Sequence, residues 1–195
     1  MPAGRNGTTD DAFARLIRDG KTDLSGSTYM RIRKIVGRLN EILPAVIPGL
    51  TLELTINSGE KYTAGKQVVC AELYSKREEK CFLMKYESDG TRRILFLLRY
   101  LIDLCCMSEL CVFVDSLDSE IFEYLFGSLL AVMRGEIRGQ LIFTSHNLHA
   151  MDELPRKDIV FTTLNPDNRY VRITGLEKKT GLREQYLQMN SLGSQ

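Results

Sequence analysis

The 195-residue chain has only two histidines and five cysteines. The cysteines stand at 70, 81, 105, 106 and 111, and no two form a Cys-x-x-Cys pair, which argues against a zinc site. No run approaches the length of apolar chain needed to span a bilayer as a helix. The start, Met1-Pro-Ala-Gly-Arg-Asn-Gly7, has no apolar core of a secretory signal. An odd cysteine count without such a signal reads as reduced thiols, with Cys105, Cys106 and Cys111 as small core residues. Charge of one sign is also lacking. The 26 basic and 25 acidic residues leave a net +1, so bulk electrostatics draw the chain to neither nucleic acid nor a membrane. No repeat period is visible. These absences describe a cytoplasmic protein with no membrane partner, for which nucleic acid is allowed but not indicated.

A composition of 44% hydrophobic and 26% charged residues supports a real core. Residues 1–27 are expected to be a flexible N-terminal tail. Within it residues 1–9 are polar, 10–18 could form a short amphipathic helix on Phe13, Leu16 and Ile17, and Gly20 to Ser27 reads as a linker. A helix is expected from Thr28 to Leu43, ended by Pro44 and by Pro48-Gly49. Leu52, Leu54 and Ile56 alternate with polar residues as in a half-buried strand, and residues 68–74 and 80–85 read as two more. Asn57-Ser-Gly-Glu60 and Ser75-Lys-Arg-Glu-Glu79 read as turns. Beyond Glu87 the pattern changes to helix 91–106, strand 110–114, helix 119–134, strand 139–144, short helix 147–154, and closing strands 158–163 and 170–174. Continuous apolar strands between helices predict a parallel sheet covered on both faces. The fold class is therefore α/β, a parallel sheet flanked by helices, with a small antiparallel region at 50–85 and N-terminal helices.

Three segments carry chemistry. Cys111-Val-Phe-Val-Asp115 is an apolar strand ending in an acid, where α/β sheets bind ligands, and a carboxylate there can hold Mg²⁺ through water. It could equally cap the next helix. Leu141-Ile-Phe-Thr-Ser-His146 ends a second strand in a histidine able to reach a phosphate or polarise a water. Its plainer reading is a capping turn built on Ser145 or Asn147. His149 receives no role. Glu87-Ser-Asp-Gly-Thr-Arg-Arg93 precedes a helix whose exposed amides, with the Ser88 and Thr91 hydroxyls and the open backbone of Gly90, suit an anion. A simple helix cap with a basic first turn fits as well. A fourth segment, Gly59-Glu-Lys-Tyr-Thr-Ala-Gly65-Lys66-Gln67, imitates a phosphate loop. It has five residues between its glycines where such loops have four, and Gln67 where a hydroxyl belongs. It also joins two strands, so it reads as a hairpin. No acid cluster of a metal-dependent nuclease is present.

In order and spacing, the Glu87–Arg93, Phe113-Val-Asp-Ser-Leu-Asp118 and Ile142-Phe-Thr-Ser-His-Asn147 segments resemble the ABC-type branch of AAA-family ATPases, the SMC-like and OLD-like proteins included. The likeness extends over about residues 35–194, through Ile121-Phe-Glu-Tyr-Leu125, Asn165-Pro-Asp-Asn-Arg-Tyr170 and Leu182-Arg-Glu-Gln-Tyr-Leu187. It implies that residues 28–195 are the C-terminal part of an ATPase domain with a partial P-loop NTPase fold, acting on ATP with Mg²⁺. Ser88, Gly90 and Thr91 then match the signature motif, which contacts nucleotide held by a partner subunit. Asp115 matches the Walker B aspartate for Mg²⁺, Asp118 the loop linking two sites across a dimer, and His146 the switch histidine. Ser116 stands where the family has its catalytic glutamate, and a serine cannot serve as general base at neutral pH without an activator of its own. Asp89 puts a negative charge where a glycine is common. No residue run fits a Walker A loop. The resemblance thus implies a homo- or hetero-dimer, or a Walker A-bearing partner. It leaves open a working ATPase part, a degenerate regulatory subunit and a truncated remnant.

Overall fold

The computed structural model describes residues 7–63, 66–172 and 181–192. Its chain divides into two compact units: residues 1–112 with 137–140, and residues 113–136 with 141–195.

The first unit begins with helix α1 (Gly7–Asp19), strand β1 (Lys21–Ser25) and helix α2 (Gly26–Val46). The expected helix at 10–18 is present, extended to Gly7, and buries Ala12, Phe13, Leu16 and Ile17. The expected linker is not a linker. Lys21–Ser25 forms a strand, and the Ser25 hydroxyl caps α2 by accepting the Thr28 amide at 3.2 Å. Pro44 lies within the last turns of α2 and does not end it. The helix closes at Val46, where the Ile47 amide bonds the Leu43 carbonyl at 2.7 Å.

Strands β2 (Leu50–Thr63), β3 (Lys66–Arg77) and β4 (Lys80–Leu83) complete an antiparallel sheet in the order β1-β3-β2, with β4 also on β3. Leu50 and Leu52 are buried and alternate with exposed Thr51 and Glu53. The expected turn at 57–60 is absent. β2 runs on through it, with register shifts between Ile56 and Ser58 and again before Lys61. The phosphate-loop imitation lies in this hairpin, where Thr63 pairs Lys66, and residues 64–65 fall outside the described residues. The turn after β3 is tighter than expected, with Glu78 in the left-handed region at φ 52°. Along the edge of β2 the Asn40 side chain bonds both the Leu52 amide (2.7 Å) and its carbonyl (2.9 Å). Helix α3 (Asp89–Cys106) follows a short 3-10 turn at Met84–Tyr86 and buries Ile94, Leu95, Leu98 and Leu101 against α1 and α2.

Strands β5 (Cys111–Val114) and β6 (Gln140–Phe143) form a two-stranded sheet. The Gln140 and Thr144 amides donate to the Leu110 and Val114 carbonyls, both numbers rising together, so the strands run parallel. They are not covered on both faces as expected. Alternate residues are exposed, Phe113 at 73% and Ile142 at 43%. Cys106 and Cys111 are likewise exposed and Cys105 half-buried, so none of the three is the core residue its apolar run suggests. Gly139 leads into β6 where an added Cβ would collide with the Leu110 and Met107 carbonyl oxygens, so only glycine fits.

In the second unit helix α4 (Glu123–Glu136) buries Phe126, Leu129, Leu130 and Met133. Phe126 meets Phe143 edge to face at 6.4 Å. The helix starts four residues later than expected, because 115–120 is consumed by consecutive turns. Helix α5 (Ala150–Glu153) is shorter than expected, and a small ladder of β7 (Phe161–Thr162) and β8 (Tyr170–Val171) follows. The remainder of the expected closing strand, 173–174, lies outside the described residues. Helix α6 (Leu182–Leu192) packs on α5, and Arg183 bridges Asp152 (3.2 Å) and Glu123 (3.3 Å).

Candidate nucleotide site

Asp115 follows β5 directly and Thr144 follows β6, so both stand at the carboxyl ends of parallel strands. The Thr144 hydroxyl donates to Asp115 Oδ1 at 2.5 Å and accepts the Ser116 amide at 2.8 Å. The Thr144 carbonyl accepts the Leu117 amide at 3.0 Å. One threonine thereby fixes three consecutive residues of the turn. Ser116 adopts φ 51°, a region that a side chain enters at a cost of about 1–2 kcal/mol. The turn then directs Asp118 to the start of the next loop, where its two carboxylate oxygens accept the His146 amide at 3.3 and 3.2 Å. Asp115, Ser116, Asp118 and His146 are thus one connected group, and Thr144 is the member that sequence reasoning passed over. Its only signal was its seat at the last position of a strand.

Neither Ser145 nor Asn147 is the N-cap expected of it, because α5 starts later, with His149 at its N-cap and no side-chain capping bond. Their side chains accept the Asn147 amide at 3.0 Å and the His149 amide at 2.9 Å, and so shape the loop after His146. His149 itself faces acids, with Asp152 at 3.5 Å and Glu123 and Glu153 at 3.8 Å, and an added Cβ on Gly127 would collide with its ring.

Ser88, Gly90 and Thr91 belong to the first unit. Ser88 is the N-cap of α3, accepting the Thr91 amide at 3.1 Å and pairing hydroxyls with Thr91 at 2.9 Å. Thr91 is only 6% exposed, so its hydroxyl serves the cap from inside. Asp89 is exposed but not unanswered, because Arg92 pairs with it one turn on. Glu87, which enters the segment, has a side chain 8% exposed and forms a two-pronged ion pair with Arg77 of β3, its second contact 3.1 Å long. Burial pushes the Glu87 carboxyl up. Hydrogen bonds from Arg77 and Ser75, with the Arg77 charge and Thr91, outweigh it and leave the carboxyl below its ordinary value.

Among the described residues no group of three or more His, Cys, Asp or Glu could cage a metal. Asp115 alone, with one oxygen engaged by Thr144, fits a metal that takes most of its ligands from water and phosphate, as Mg²⁺ does. The described residues supply no glycine-rich strand-to-helix cradle for a triphosphate, so they fit ATP only in part. No described helix is long and apolar enough to cross a membrane.

No family model matches the sequence. No curated protein matches it either. Solved structures do. One is an SMC ATPase studied for ATP-driven dimerization and DNA-stimulated activation, with TM-score 0.59 and 13% identity over 87% of this chain and 97% of that one. Another is the Smc head domain of Pyrococcus yayanosii with a coiled coil and joint, at TM-score 0.58 and 13% identity over 87% of this chain but 31% of that one. A third is the Smc head domain of Pyrococcus furiosus bound to the C-terminal domain of ScpA, at TM-score 0.54 and 13% identity over 86% and 40%. The chain spans nearly all of the first but less than half of the two longer heads. It therefore has the mixed α/β, P-loop NTPase fold of SMC-type ATPase head domains.

Proposed function

We propose that this chain is the part of an ABC-type ATPase head that bears the signature segment and the Mg²⁺ aspartate, and that it completes an ATP site with a Walker A segment or partner. The observation that carries this reading is the Thr144 clasp, which holds Asp115 and the turn to Asp118 and His146 at the ends of two parallel strands. Asp115 would hold Mg²⁺ through water, with ATP phosphates supplying other ligands. Asp118 would fix the His146 loop, and His146 would meet the terminal phosphate. Ser88 and Gly90, at the start of α3, would offer that helix end to a phosphate held on a partner, as a dimer requires. The first solved neighbour concerns ATP-driven dimerization, which supports a second head as that partner. Exposed Phe113 and Ile142 on the short parallel sheet support a surface that a partner covers.

Ser116 favours a second reading, a module that binds and regulates without turnover, because a serine hydroxyl is not itself a general base at neutral pH. Both readings predict no phosphate release by the chain alone. Paramagnetic line broadening by Mn²⁺·ATP tests the common core. Broadening confined to residues 115–118 and 144–146, lost in Asp115→Asn, is the expected result. Broadening that is absent, or equal in Asp115→Asn, would sink the proposal. Steady hydrolysis by the isolated chain would sink the claim that it is incomplete. Stimulation of a Walker A-bearing partner by the Ser116 protein, with no further gain from Ser116→Glu, would select the regulatory reading.

A further inference from the structure

A concave site of about 180 Å³ lies in the first unit and is lined by none of the residues assigned above. Three helices wall it. Arg31, Lys34 and Arg38 come from α2, Arg99 from α3, and Thr9 from the first turn of α1. Four of its lining residues are basic and one, Asp103, is acidic. Ile35 and Ile102 form apolar wall between the charges.

The basic residues of α2 recur at i, i+3 and i+7, so they share one exposed helix face and extend over about 10 Å. Neither Lys34 nor Arg38 has an ion pair among the described residues. Arg99 is held differently. Asp103 (2.8 Å) and Asp10 (3.3 Å) fix its guanidinium, so it is a rigid donor and not a surplus charge.

Two polar atoms of this wall lack partners. Thr9 is 1% exposed, and its hydroxyl has no hydrogen-bond partner among the described residues. The buried Nε of Arg99 lacks one too. A buried polar atom without a partner costs about 1–3 kcal/mol, so both mark a wall with hydrogen-bonding capacity unspent. The positive end of α1 adds to the same sign.

We infer that this three-helix concavity binds a phosphate-bearing anion, with Arg99 held rigid in its wall and Lys34 and Arg38 as the charge that draws it in. Such an anion comes either from a free polyphosphate compound or from a nucleic-acid backbone.

Titration with tripolyphosphate at low salt, in EDTA, tests this without involving a Mg²⁺ site. The wild-type chain should bind, and added salt should weaken binding steeply. The double variant Lys34→Glu/Arg38→Glu should lose about tenfold or more in affinity, because two phosphate-facing cations are reversed. Lys80→Glu, on exposed β4, and Asp115→Asn should bind as wild type does. A short single-stranded oligonucleotide that displaces tripolyphosphate names the nucleic-acid backbone as the source. One that fails to displace it names a small phosphorylated compound. Equal binding by the double variant, with its thermal unfolding unchanged, would overturn the site. So would loss of binding in Asp115→Asn, or no binding of either probe.

Discussion

The hydroxyl of Thr144 is shared between the Asp115 carboxylate and the Ser116 amide, so removing it frees both at once. Thr144→Val should cost about 0.5–1.5 kcal/mol, a modest figure because the residue is exposed, while Thr144→Ser should restore most of it. Urea denaturation measures the loss. Faster hydrogen exchange at Ser116 and Leu117 would locate it, and unchanged exchange there would refute the clasp. Glu87 supplies the pH-dependent counterpart. Its folded pKa lies below the ordinary 4.5, so the stability it contributes is fully present above that value. That stability is lost as pH falls through the lowered folded value. The gap in melting temperature between wild type and Glu87→Gln should therefore be widest near neutral pH and close in acid; a gap that stays constant would contradict the Arg77 pairing. Asp115 and His146 stood out in the sequence because each follows an apolar run, while Asp118 entered only through the family resemblance. Thr144 did not stand out, since a threonine ending a strand looks like an ordinary β-former. The left-handed turn at Ser116 was equally hidden, because no glycine marks it.

Elements were legible where burial imposed a period. α2 and α3 each present a one-sided apolar stripe, and the sequence reading found them nearly to their ends. β1 was missed because Leu24 is its one buried residue, as suits an edge strand with little to bury. The start of α4 was misjudged because the turns at 115–120 satisfy their own backbone bonds and delay the helix. At this scale the contact of Gly127 with His149 makes a sharp prediction. Alanine at 127 would gain about 1 kcal/mol of helix propensity, but its Cβ meets the imidazole. Gly127→Ala should therefore destabilise α4 and α5 packing in the wild-type background and stabilise the chain when combined with His149→Ala. A double-mutant cycle of unfolding free energies reads the coupling; additive values would show that the ring swings away freely.

For the molecule as a whole, the parallel sheet is the incomplete part. Two strands half-bury only one face, and Phe113 and Ile142 remain on the other, with Phe122 and Tyr124 also exposed. The sequence reading expected two covered faces because its strands are continuously apolar, and that inference assumes neighbours on both sides. The same sequence promised an ATPase fold, and comparison with SMC heads bears that out at the level of fold. Uncovered apolar strands predict concentration-dependent self-association of the isolated chain. Phe113→Ser should lower it in sedimentation velocity while leaving the unfolding midpoint nearly unchanged. A monomer at all concentrations, or a large stability loss in the variant, would mean that Phe113 is not a contact surface.

Asn40 gives α2 a mechanical property of a different kind. A helix held by greasy contacts alone can roll on its bed by small degrees. The Asn40 amide grips both backbone groups of Leu52, so any roll of α2 on β2 must break two bonds held by one side chain. The exchange rate of the Leu52 amide counts how often the latch opens, and anything that pulls on α2 must first undo it.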